Sequence, residues 1–391
     1  MTSEAFRQKV EGEGMEFRPL RPDSGIFVEK PEIMHQAFHP RTGSKYIFRQ
    51  VLMPVVEQSY EDILEAARDV DLIVGHPAVF ATPTVAEVLK KRWISVALAP
   101  IIFLSKYDPP VISGLPLGDR LVGFGPWFWG PFLQLARAEG RRWAVPLTRM
   151  RRKLGLPELR NPAFDDMFSP YGTQAWFSRV LAQPQRDWPV KTKVTGFPFY
   201  DKLEPGQGMS PDLRRFMDAG PAPVVFTLGS SAVFDAGSFY RESVEAVKRM
   251  GIRAVLLIGT DPRNRSAEPL PDSVFAADYA PYSELLPRAA ATVHQGGIGT
   301  TAQALRSGRP MIVVPWSHDQ PDNGMRIVRL GTGRVIPRSK YRAARLETEL
   351  GALLSNREGA ARAAETAVQM AAEDGVAAAC EGLERALLVG N

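Results

Sequence analysis

What the sequence lacks narrows the field first. It has one cysteine, Cys380, so neither an internal disulfide nor a Cys-based metal cluster can form. That usage suits a reducing compartment and predicts a cytosolic protein. No apolar run approaches the ~18 residues needed to span a bilayer, and residues 1–10 lack the apolar core of a signal peptide. Histidine is scarce, five in all, and no His or acidic cluster argues for a catalytic metal. Charge of one sign is in small excess, 48 Lys and Arg against 43 Asp and Glu for a net +5. The basic residues gather mainly in 137–153 without a nucleic-acid motif, so nucleic acid is not an expected partner. No internal repeat or low-complexity tract stands out.

What is present reads as an α/β protein. With 391 residues, 45% hydrophobic and 23% charged, the chain can fill the cores of two domains. Residues 16–20 fit a strand, 48–67 carry apolar residues at helical spacing, and 71–74 are a short buried strand. A helix over 83–91 and a strand over 94–98 come next, with further strands over 173–181 and 190–195, the alternation of a parallel doubly wound sheet. The Pro- and Gly-containing stretch 198–211 is the best linker candidate. The expected division is a first domain over 1–201, a linker over 202–222, a second domain over 223–374 and a closing helix over 375–391. In the second domain, strand 224–228 runs into Gly229-Ser230-Ser231, a turn able to bring N–H and hydroxyl donors to a phosphate.

The densest signal is His294-Gln295-Gly296-Gly297-Ile298-Gly299-Thr300-Thr301. It comes after a buried strand over 291–293, opens a helix over 299–306, and precedes an apolar strand over 311–314 and then Asp319-Gln320. A diphosphate fits at such a helix start, where N–H groups are unpaired and hydroxyls stand close by. Three readings compete. Gly-rich strand-to-helix turns also occur in sheets that bind nothing. Residues 297–302 match a dinucleotide fingerprint, G-x-G-x-x-G/A, yet a dinucleotide domain needs several more strands after it, and here the only one is 333–336.

The third reading is a resemblance. From Asp278 to Leu330 the order of aromatic-x-Pro, His-x-Gly-Gly-x-Gly-Thr-Thr, an apolar strand ending in Pro, and Asp-Gln resembles the nucleotide-sugar segment of family 1 glycosyltransferases. The likeness is to bacterial enzymes that glycosylate lipids, sterols and macrolide-like products. It implies the GT-B fold, two Rossmann-like domains facing each other across a cleft, the first binding acceptor and the second the donor, with the last helix bracing the first. It also implies inverting, metal-independent transfer of a sugar from a UDP- or dTDP-sugar to a hydrophobic hydroxyl acceptor, with no cofactor beyond that co-substrate. His294 and Thr300, with backbone at Gly296, Gly297 and Gly299, would hold the diphosphate. Asp319 and Gln320 would hold sugar hydroxyls, Tyr279 would stack on the base, and Ser230 would add a donor from the neighbouring turn. Ala302 and Tyr282 stand where plant relatives carry a ribose-binding Glu and a Gln, so ribose recognition does not carry over.

Members of this family usually open with a β-α unit whose Gly-rich loop holds the catalytic His, and 5–22 resembles the family's segment just after the second strand. The expectation is that the usual base lies outside this sequence. His76, at a strand end, is the weak substitute, while His35 and His39 read as surface-loop residues. Trp127, Phe128, Trp129 and Phe132 precede the basic run. They suit either a lining of the acceptor pocket beside a solvated arginine face or peripheral membrane contact through 123–153. Two other functions remain open at this level: a non-catalytic nucleotide-sugar-binding protein that activates a partner, and a sugar-nucleotide epimerase of the same fold.

Overall fold

A computed structural model describes residues 1–26, 31–113, 121–201 and 208–388. The chain divides into two compact units, one of Met1–Pro110, Pro116–Pro198 and Gly375–Asn391, the other of Val111–Leu115 and Phe199–Asp374. Of the expected linker, 202–207 lies outside the described residues, and Pro211–Asp218 is a helix whose N-cap Ser210 accepts from Leu213 N–H. Its start is set by Ser-Pro, a capping hydroxyl before a residue that needs no N–H partner.

The first unit holds a four-stranded parallel sheet, β1 (Leu72–Gly75), β2 (Arg92–Ala97), β3 (Thr173–Ala175) and β4 (Thr192–Val194), in that spatial order. Two expected features differ. Residues 16–20 form no strand, only a single bridge between Thr2 and Pro19, because Pro19 supplies no N–H to continue a ladder. Only three residues of 173–181 pair, and the rest turn inward through Phe177, which is fully buried. The core gathers Phe48, Ile63, Val85, Trp93 and Leu147 between the sheet and its helices. His35 lies on the helix Pro31–Ala37 rather than in a loop.

The aromatic and basic stretch forms two helices, Pro126–Trp143 and Val145–Lys153. Trp129 is enclosed while Trp127 is 74% exposed. Arg151 departs from a solvated face: it is buried, pairs with Glu87 at 2.7 Å and donates to Pro157 O and Thr84 Oγ1. A buried guanidinium is tolerated because its donors are filled in this way.

The second unit is a six-stranded parallel sheet in the order β10-β9-β8-β5-β6-β7. Its strands are β5 (Val224–Thr227), β6 (Ala254–Leu257), β7 (Val274–Ala277), β8 (Ala291–His294), β9 (Met311–Val313) and β10 (Gly333–Val335). All four residues of β5, β6 and β8 are buried, as expected of parallel strands covered on both faces. The short segment at Val111 belongs to this unit: its N–H donates to Asp322 Oδ1 at 3.0 Å. Asp322 also accepts from Arg326 at 2.9 Å, an ion pair almost wholly out of solvent.

Candidate functional site

The second sheet begins at β5 and grows both ways, to β6 and β7 on one side and to β8, β9 and β10 on the other. The β5/β8 junction is therefore the point where strand order reverses, the place at which open α/β sheets hold ligands outside the carboxyl ends of their strands. The register sets Thr227 beside His294, which brings the Gly229 turn and the Gly296 turn side by side. Gly229 has φ +65°, and a Cβ there would collide with Gln295 Nε2 and lie 3.2 Å from Thr300 Oγ1. The bare glycine is what lets the turns approach.

A buried polar network ties them together. Gly229 N–H donates to Thr227 Oγ1 at 3.3 Å, and that hydroxyl bonds the Tyr282 hydroxyl at 2.8 Å. Tyr282 also bonds Thr300, and Gln295 Nε2 donates to Thr300 Oγ1 at 3.4 Å. In the helix Ile298–Arg306, Ile298 N–H donates to Asp319 Oδ2 at 3.2 Å and Thr301 N–H to Gly297 O. The N–H groups of Gly299 and Thr300 have no acceptor inside their own helix and mark its positive end. Several buried atoms without a partner stand in the same region, Gln295 Oε1, Thr301 Oγ1, Ser317 Oγ and Asn323 Oδ1.

His294 sits differently from a residue that touches a ligand. Its ring is fully buried, Nδ1 accepts Gly296 N–H at 3.1 Å, and Nε2 faces Met311 Sδ at 3.4 Å. Burial lowers its pKa to about 3, so the imidazole is neutral. With Nδ1 accepting, its one hydrogen is on Nε2 and points into the sheet. The ring holds the Gly296 turn from beneath.

Asp319 and Gln320 lie beyond β9, next to β8. His318 before them has φ +59°, a left-handed conformation that is costly for a side chain and collects at functional loops. Asp319 Oδ2 accepts from Asn323 Nδ2 at 2.7 Å as well as from Ile298, and Asn323 also donates to Gly296 O. Burial pushes the Asp319 carboxyl up to about 6, against those hydrogen bonds, which favour the charged form. Gln320 Oε1 accepts Trp316 N–H and Ser317 N–H, which fixes its amide with Nε2 as the remaining donor. Ser230 is exposed at the β5 turn. Tyr279 is 67% exposed beyond β7, three strands from β8, or about 14 Å at the usual strand spacing. The nine residues expected at the donor thus gather at four strand ends, with Asp319 and Gln320 at one extreme and Tyr279 at the other.

A scan of family models matches residues 243–383 to the C-terminal domain of erythromycin biosynthesis protein CIII-like proteins. Across 97% of its length the chain is 32% identical to O-mycaminosyltylonolide 6-deoxyallosyltransferase of Streptomyces fradiae, covering 88% of that protein. The chain belongs to the family 1 glycosyltransferases. It is 27% identical to a sterol 3-beta-glucosyltransferase of Yarrowia lipolytica over 99% of its own length, but spans 26% of that larger protein. Among solved structures, the glycosyltransferase of kitacinnamycin superposes with a TM-score of 0.70 at 20% identity, covering 98% of this chain and 90% of the other. VinC, solved in complex with dTDP, gives 0.65 at 21% identity, with 98% and 90% covered. These likenesses give the fold as GT-B.

As a family 1 glycosyltransferase the chain is an enzyme, and its residues fall into two groups. Those at the β5, β8 and β9 ends were legible in the motif. Thr227 and Asn323 were not, because each acts through another side chain, and Tyr282 stood out only as a departure from the family pattern and not as the bridge between Thr227 and Thr300. Asn323, one helical turn after Asp319, left a spacing that could have been noticed. In the first unit, His76 comes directly after β1, beside a cavity of about 440 Å³ whose lining includes Ile63, Val74, Val96, Leu98 and Trp176. Burial lowers the His76 pKa, and its Nδ1 accepts Ala78 N–H at 3.2 Å. With Nδ1 accepting, a neutral ring carries its hydrogen on Nε2, from which it can donate to a hydroxyl oxygen. No helix among the described residues is long and apolar enough to cross a membrane.

Proposed function

We propose that this glycosyltransferase takes a sugar from a UDP- or dTDP-sugar and passes it, with inversion and without a metal, to a hydroxyl of a hydrophobic acceptor of macrolide or sterol kind. The observation that carries the donor half is the pair of bridged turns at the strand-order reversal, with the Gly299 and Thr300 N–H groups open at a helix start. Charge that develops on a leaving diphosphate would meet oriented N–H and hydroxyl donors there, the arrangement that stabilises an anion without reorganisation. The order of these residues across the sheet supports one direction for the donor in this reading. The sugar lies over β9 toward Asp319 and Gln320, the diphosphate over β8 and β5, and the base toward Tyr279.

His294 acts in this reading as a positioning residue: it shapes the Gly296 turn and touches no phosphate. The apolar cavity beside β1 favours a hydrophobic acceptor, and His76 would orient its hydroxyl as a hydrogen-bond donor. The protein similar to this chain in Streptomyces fradiae is named for a macrolide substrate, which supports the same acceptor kind. Calorimetry with dTDP and UDP, run with and without a chelator, tests the donor half. Binding is expected in both conditions. Thr300→Ala should weaken it roughly ten- to hundredfold, the loss of about 1.5–3 kcal/mol expected of a hydrogen bond to a charged group. Asp319→Ala and Gln320→Ala should instead impair use of the nucleotide sugar more than binding of the bare diphosphate. Failure of both nucleotides to bind the folded protein would refute the reading.

A further inference from the structure

The amino end of the first sheet carries a feature that sugar transfer does not use. A cavity of about 690 Å³ opens there between β2, β3, β4 and the helix Gly375–Leu388, lined by Arg92, Lys191, Lys193, Arg385 and Tyr171 and by no carboxylate. It lies at the opposite end of the strands from the carboxyl ends where open α/β sheets hold their substrates. Two of its four cations have a structural task. Arg92 donates to Ala386 O at 2.9 Å and Leu387 O at 3.5 Å, and Lys193 to Ala378 O at 3.4 Å, which caps and holds the last helix. Arg385 makes a solvent-exposed pair with Glu381, one turn back.

Lys191 is the informative one. It has φ +63°, a conformation that glycine or asparagine would adopt at lower cost. Its ammonium has no ion-pair partner among the described residues. It is the turn residue just before the edge strand β4, and it and Lys193 of that strand both line the cavity. Protruding apolar side chains adjoin these cations. Val190, 81% exposed, precedes Lys191; Leu387 at 47% and Leu388 at 82% follow Arg385 on the last helix, where Glu381 and Glu384 are also exposed; and Tyr171 in the lining is 49% exposed. Cations flanked by protruding apolar side chains match the boundary of an anionic bilayer, with phosphates on the cations and the apolar tips among the acyl chains. A soluble polyanion would account for the cations but leave the apolar rim without a partner.

We infer that the amino end of the first sheet is a docking surface for anionic phospholipid, built from Lys191, Arg385, Lys193 and Arg92 with Val190, Leu387 and Leu388. The full chain should sediment with vesicles of phosphatidylcholine containing one third phosphatidylglycerol at low ionic strength, and not with phosphatidylcholine alone. A basic residue near an anionic surface contributes about fivefold in affinity, so Lys191→Asn with Arg385→Gln should weaken partitioning roughly 25-fold. Asparagine keeps the left-handed backbone, and both sites are exposed, so the variant should melt like the parent. Val190→Ser with Leu388→Ser should weaken partitioning as well, whereas Trp127→Ser on the aromatic helix should not. The inference falls if anionic vesicles are not preferred, if the charge variant partitions like the parent, if Trp127→Ser abolishes partitioning, or if inositol hexakisphosphate binds while vesicles do not. Donor binding lies outside this surface and should be unchanged in all these variants.

Discussion

Asp319→Asn should make the protein more stable at neutral pH, and by an amount that depends on pH in a definite way. In the folded chain burial holds the Asp319 carboxyl up to about 6, against 3.8 for the free group. A carboxyl raised on folding costs nothing where it is protonated in both states, below about pH 4. Between those two values the folded state keeps the proton that the unfolded state releases, so stability falls as pH rises. Above about 6 the cost is complete. The difference corresponds to about 3 kcal/mol. Asparagine has the shape of the protonated acid and its oxygen can still accept from Ile298 N–H and Asn323, so it removes the cost and keeps the contacts. For a domain of this size about 3 kcal/mol is a rise of roughly 6–12 °C in the melting transition. Calorimetric scans of both proteins from pH 4 to pH 8, without nucleotide, should show curves that coincide near pH 4 and separate as pH rises. A gain of the same size at every pH, or a loss at pH 8, would refute the assignment of a charged carboxylate held at a cost. Retention of such a residue is the expected signature of a group kept for binding rather than for stability.

The same geometry sets two further outcomes. Gly229→Ala should reduce nucleoside diphosphate affinity at least tenfold by calorimetry, because the methyl displaces Gln295 from Thr300 in addition to a backbone cost of about 1–2 kcal/mol. Gly237→Ala, at φ +58° with its nearest neighbour 3.8 Å away, should carry the backbone cost alone and bind normally. Arg326→Ala should destabilise the second unit by about 3–5 kcal/mol in denaturant titration, since Asp322 would be left charged and enclosed, while Arg326→Ala with Asp322→Ala should recover much of that loss.

The sequence by itself determined the class of fold and the strand ends at which the residues proposed for the donor stand. Short apolar runs alternating with helical periodicity can only be buried parallel strands with helices on both faces, and a glycine-rich turn after such a strand must lie at a carboxyl end. That is why β5, β8 and β9 and the residues after them could be read along the chain, and why the helix Gly375–Leu388 was placed to the residue at its start. Only tertiary structure decided what each polar side chain does. His294 reads as a ligand contact in the motif, yet its place as the last residue of a fully buried strand turns its ring beneath the Gly296 turn. Arg151 reads as one more cation in a basic run, yet the helix face it occupies points it inward to Glu87. The link from Thr227 through Tyr282 to Thr300 spans residues 73 positions apart, and the surface of Lys191 and Arg385 joins residues 194 apart. Spacing along a chain reports which face of one element a residue takes. Whether that face meets water, a carboxylate or another turn is fixed by strand order and register, which bring together residues that no local pattern connects.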